Sequence, residues 1–123
     1  MARDILSASH PNIAHMRISG MLTHDDMHCD KELGLGTGKP VAVLLDVTAM
    51  KLDLPEDFLA GASTSFLINP DLMHLALVIK SPLLRSVALM IGRFTQRKDM
   101  MSLHDTTADA EMHLLAILRR KGL

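Results

Sequence analysis

Residues 13–19 loosely alternate apolar and polar side chains and stop at Gly20, which predicts a first strand. Thr23 then opens a helix. Thr23, His24, Asp25 and Asp26 resemble a capping box, in which the hydroxyl accepts from a first-turn amide and a carboxylate three residues on reaches back. Gly34, Gly36 and Gly38 end that helix. Residues 41–47 are almost continuously apolar and rich in Val and Leu, the pattern of a strand buried on both faces. Pro55, Glu56 and Asp57 mark a second helix start, with an end near Ile68 before Asn69 and Pro70. Residues 73–79 repeat the buried-strand pattern.

Ser81 and Pro82 supply the N-cap and first position of a third helix. Leu83, Leu84, Val87, Met90, Ile91 and Phe94 share one face of it, and Arg85, Arg93, Gln96 and Arg97 the other. Residues 100–103 form a short strand. Thr106 to Asp109 is a second capping-box pattern, and Arg119, Arg120 and Lys121 close the last helix at its negative end. Four βα units in succession predict one α/β domain over residues 1–123, a four-turn (βα) superhelix. Its sheet is expected to be four-stranded and mainly parallel, with about four helices.

At this point the residues resemble the SpoIIAA-like proteins of the STAS superfamily. Gly20, Met21, Leu22, Thr23, His24, Asp25 and Asp26 are similar to the family's G-x-L-T-x-x-D start. Leu44, Leu45, Asp46, Val47 and Thr48 resemble its central L-L-D strand end, and Leu75 to Val78 its third strand. Ala110, Leu114 and Leu115 resemble its closing helix. The resemblance implies a fold shared in outline with the SEC14 lipid-binding domain, a homodimer and no established enzymatic activity. Two departures stand out. The family's anti-sigma-factor antagonists carry a phosphorylated Ser where this chain has Leu52, Asp53, Leu54, Pro55, Glu56 and Asp57, with Ser63, Thr64 and Ser65 only later. The family's closing Trp is also absent, with His113 near its place.

Composition narrows the choices. A net charge of -1 argues against nucleic-acid binding driven by bulk charge. The single cysteine, Cys29, permits no intrachain disulfide and fits a reducing cytoplasm. No apolar run approaches the ~20 residues of a membrane span. With 10 Met, 3 Phe and neither Trp nor Tyr, methionine is expected to fill the core where other chains use aromatics.

Several residues are candidates for chemistry. In parallel α/β folds, ligands bind beyond the carboxyl ends of the strands, which here brings up Thr23, Asp46, Thr48, Lys80, Ser81, Asp105 and Thr106. These would take a small apolar or anionic ligand; the plain alternative is that they cap their own helices. Arg85, Arg93 and Arg97 suggest a surface for an anionic partner, against the plain reading of a solvated helix face. His24 and His28, four apart, share a helix face and can bind a metal if His10, His15, His74 or His104 supplies a third ligand. A capped, exposed first turn explains them as well. Gly34 to Lys39 superficially resembles a phosphate loop, but it follows a helix and enters a strand, the reverse of what such a loop needs. Cys29 has acidic neighbours, which disfavour a nucleophilic thiolate. No cofactor and no catalytic set is expected. The surplus apolar circumference of the last helix, with Met112, Leu114, Leu115, Ile117 and Leu118, suggests a dimer contact. The sequence therefore points to a non-enzymatic cytoplasmic regulatory or protein-interaction module, homodimeric, with a small-ligand carrier as the alternative.

Overall fold

The computed structural model describes residues 3–51 and 56–123. Its elements are β1 (Arg3–Leu6), β2 (Ile13–Gly20), α1 (His24–Met27), β3 (Val41–Met50), α2 (Phe58–Ser63), β4 (Leu72–Val78), α3 (Pro82–Phe94), β5 (Met101–His104) and α4 (Thr107–Arg120), with short 3-10 turns at Phe66–Ile68 and Lys98–Met100. The strands lie in the order β1-β2-β3-β4-β5. β2 to β5 pair in parallel, while β1 pairs antiparallel with β2.

The four-stranded, mainly parallel sheet expected from the sequence is thus corrected to a mixed five-stranded one. The extra strand is short, sits at the edge and begins with Arg3 and Asp4. Edge strands are commonly charged and brief, so they carry little hydrophobic period to read. Arg3 anchors this strand: its guanidinium reaches Asp26 at 2.7 Å, Glu32 at 2.7 Å and Asp25 at 3.3 Å.

Two helices are shorter than their sequence patterns suggest. α1 is a single turn, and Leu33 and Leu35 after it are both buried. Two buried residues two apart cannot share a helix face; Gly34, at φ +75°, turns the backbone between them. α2 stops at Ser63, and Ser65 caps a separate 3-10 turn by accepting from the Leu67 amide. The Pro55 start signal lies outside the described residues.

The sheet separates two cores. On one face, Met16, Ile18, Val43, Leu45, Leu75 and Leu77 pack under α3, the 66–68 turn and the 29–35 segment. On the other, Ala42, Leu44, Ala76 and Val78 pack under Ala110, Leu114 and Leu118 of α4. The apolar surplus of α4 is largely absorbed here: Ile117 is buried and Leu115 packs against this core, leaving Met112 as the large apolar side chain exposed. That removes the reason for a dimer contact on α4. Methionine does serve as filler at Met16, which is fully buried, whereas Met90 and Met112 are exposed.

The glycine-rich 34–38 segment is closed by its own chain. The Gly36 and Gly38 amides donate to one carboxylate oxygen of Asp71, at 2.8 and 2.9 Å. Amides that could have cradled an anion are therefore occupied.

Candidate functional site

The polar residues at the carboxyl edge are largely engaged locally. Thr23, Ser81 and Thr106 each accept from an amide of the helix they start. The Thr23–Asp26 capping box is complete. At Thr106 it is only half formed, because the Asp109 carboxylate turns toward His104. Asp46 accepts from the Thr48 amide at 2.9 Å and hydroxyl at 2.7 Å and faces Arg17 at 3.5 Å. Burial pushes its carboxyl up, and the bonds from Thr48 with the charge of Arg17 outweigh that, leaving it below the usual carboxylate value. Asp105 pairs with Arg85, and Lys80 is exposed. None of these seven side chains lines the main cavity.

That cavity lies between the first core face and the helices. It holds about 100 Å³ and is lined almost wholly by apolar groups, among them Met27, Met50 and Phe58 with Leu84, Val87 and Ile91 of α3. The volume suits a small apolar fragment or one side chain, well under the ~300 Å³ of ordinary ligand pockets.

The His24 and His28 rings stack at 4.6 Å, and both nitrogens of His28 and Nε2 of His24 have partners. His28 Nδ1 donates to the His24 carbonyl at 2.8 Å, and its Nε2 lies 2.9 Å from Thr64 Oγ1. His24 Nε2 lies 3.3 Å from the Asp57 carboxylate. Among the described residues no third ligand converges on them. Cys29 is buried, donates to the Asp26 carbonyl at 3.2 Å, and is pushed up to about 11 by burial, so its thiol stays protonated.

The basic residues of α3, which ends at Phe94, and Arg97 beyond it do not act as one patch. Arg85 donates to the Ile79 carbonyl and pairs with Asp105, and Arg97 donates to the Ile68 carbonyl at 3.3 Å. Arg93 is exposed, with no side-chain partner among the described residues.

The expected core face of α3 also needs correction. Leu84, Ala88 and Gly92 are the buried stripe, while Leu83, Met90 and Phe94 are 57%, 45% and 53% exposed. With half-buried Val87 they follow a 4-3-4 spacing, which forms a continuous ridge along the helix. The contact side is chosen by size: a Cβ on Gly92 would stand 3.3 Å from the Lys98 backbone. Small residues at 88 and 92 let the helix come close, turning its larger side chains outward.

A second cluster joins residues that sequence spacing does not. Ser102 Oγ lies 2.9 Å from His74 Nε2 and 2.7 Å from His104 Nε2, and His104 Nδ1 is 3.4 Å from Asp109. His113 of α4 covers both rings, with centroids 5.2 Å from His74 and 5.0 Å from His104. Burial first, then the neighbouring His113, His104 and Arg120, push His74 down to about 4; burial and His104 also lower His113. Ser102, His104 and Asp109 follow the order of a nucleophile, base and orienting acid. However, the hydroxyl is shared with His74, and Ser102 borders neither the cavity lined by Met27 and Phe58 nor the one beside Gly92.

No family model matches the sequence, and no curated protein matches it either. Two solved structures are similar in fold. One is an uncharacterized protein of the DUF3478 family with a SpoIIAA-like fold from Shewanella loihica PV-4, at TM-score 0.62 and 18% identity over 89% of each chain. The other is an anti-sigma factor antagonist from Mycobacterium paratuberculosis, at TM-score 0.55 and 15% identity, covering 90% of this chain and 92% of that one. No helix among the described residues is long and apolar enough to cross a membrane. The two likenesses, the parallel β2-to-β5 core and the placement of the helices together assign this chain a SpoIIAA-like fold.

Proposed function

We propose that this chain is a non-enzymatic cytoplasmic regulatory module that docks proteins through the α3 ridge, and that a second copy of itself is among those contacts. The observation that carries this reading is the exposed line of Leu83, Met90 and Phe94. Three large apolar side chains in a row on one helix are the kind of patch that marks an interface. The fold is shared with an anti-sigma factor antagonist, which supports a regulatory role. The segment where that family's antagonists carry a phosphorylated Ser has no hydroxyl. Of the later hydroxyls, Ser63 and Ser65 donate to carbonyls of α2, and Ser65 also caps the following turn. Docking therefore runs without the family's phosphorylation switch in this reading.

The test is photo-crosslinking in host cells with a benzophenone amino acid in place of Met90, and separately of Met112, the more exposed methionine on α4. Discrete protein adducts are expected at position 90, lost on adding Leu83→Asp and Phe94→Asp. Equal labelling at both positions, or none at 90, would overturn the reading.

A second reading, a carrier of a small apolar ligand, draws on the cavity of about 100 Å³. Thr23, Asp46, Thr48, Lys80, Ser81, Asp105 and Thr106 do not line that cavity, so this reading draws on the cavity alone. Native mass spectrometry of the protein from its host, searched for a small apolar molecule that Met27→Trp displaces, separates this reading from the first.

A further inference from the structure

We propose that the α4–sheet interface is an acid-sensitive latch, in which proton uptake by His74 and His113, packed around His104, loosens α4 and uncovers the apolar face beneath it. The proposal stands on the geometry of the cluster and is independent of the α3 ridge. His74 and His104 are each 8% exposed, on β4 and β5, and His113 reaches down on them from α4. The groups facing them are Ser102 on β5 with Asp109 and Arg120 on α4, so one carboxylate meets three imidazoles and a guanidinium.

The hydrogen-bonding arithmetic fits neutral rings. A hydroxyl carries one proton, and Ser102 Oγ lies within bonding distance of two Nε2 atoms. One ring therefore accepts from Ser102 while the other donates to it. Asp109 beside His104 Nδ1 favours the proton on that nitrogen, so His104 Nε2 accepts from Ser102 and His74 Nε2 donates to it. A proton added to His74 or His113 has no facing acid and meets the positive charge of Arg120. The relief available is separation of α4 from the sheet. Among the described elements, α4 alone covers Ala42, Leu44, Ala76 and Val78, so its loosening exposes a whole sheet face.

The test is hydrogen exchange on the full chain at about pH 7.4 and about pH 5, corrected for intrinsic rates, with α3 as the internal reference. α4 is expected to lose about tenfold more protection than α3 on acidification. The doubly substituted His74→Gln, His113→Gln chain should lose protection equally in both helices. Parallel loss in α3 and α4 of the unsubstituted chain overturns the latch. If the double variant does not fold, Asp109→Asn on the surface serves instead, and it should enlarge the α4-specific loss at about pH 5. An unchanged or smaller loss would contradict the proposal.

Discussion

Arg3→Ala is expected to lower the unfolding free energy by about 3 kcal/mol, measured as a shift of the urea midpoint at constant slope. The cost arises at Asp26, whose side chain is 4% exposed. One of its oxygens accepts from the Thr23 amide at 2.9 Å, and the other from Arg3 at 2.7 Å. Without the guanidinium, a buried carboxylate is left without its cation, which is far costlier than the pair is worth. Arg3 also ties the edge strand to the turns after α1 through Glu32. Asp25, by contrast, is largely exposed and meets the same guanidinium at 3.3 Å. Asp25→Asn should therefore change stability by less than ~0.5 kcal/mol.

Stability is expected to fall by about 3 kcal/mol as pH drops from about 7 to about 4, with His74 the main source. The sign follows from where each state binds its proton. Burial and the neighbouring imidazoles hold folded His74 down to about 4, against 6.5 for an unperturbed ring. As pH falls through 6.5 the unfolded chain takes up a proton that the folded chain refuses, so unfolding becomes easier. The loss levels off once the folded ring also protonates, near 4. His113 is shifted in the same direction and steepens the same window. Asp46 works lower: its depressed carboxyl stabilises the fold above 3.8, and that contribution is lost as pH falls below it. Urea midpoints across this range should therefore slope downward for the native sequence and flatten between 6.5 and 4 in His74→Gln.

The parallel strands were legible because a strand buried on both faces must be apolar at every position, as 41–47 nearly is. Their placement beside α3 and α4 followed from the caps at Ser81 and Thr106. What escaped the sequence has physical causes. Hydrophobic periodicity weighs large side chains, whereas the closest helix contact is made by small ones, so Ala88 and Gly92 took the place assigned to Leu83, Met90 and Phe94. The histidine cluster depends on register: Val78 pairs with His104 and Ala76 with Ser102, which brings His74 beside residues 28 and 30 positions later. No local pattern encodes that. The one sequence signal was the alternation of Ser102 and His104, two residues that share a strand face. The polar groups expected at that edge are largely engaged by caps and ion pairs, because the groups that can bind a ligand there are the same ones that helix ends consume.

The α3 ridge is proposed as a contact surface. Its most direct test is sedimentation equilibrium of the native chain against the Leu83→Asp, Met90→Asp, Phe94→Asp variant. A native species at twice 13.5 kDa is expected, and a variant at one chain mass with unchanged helical circular dichroism. A variant that stays dimeric, or a native chain that stays monomeric at high concentration, would contradict it.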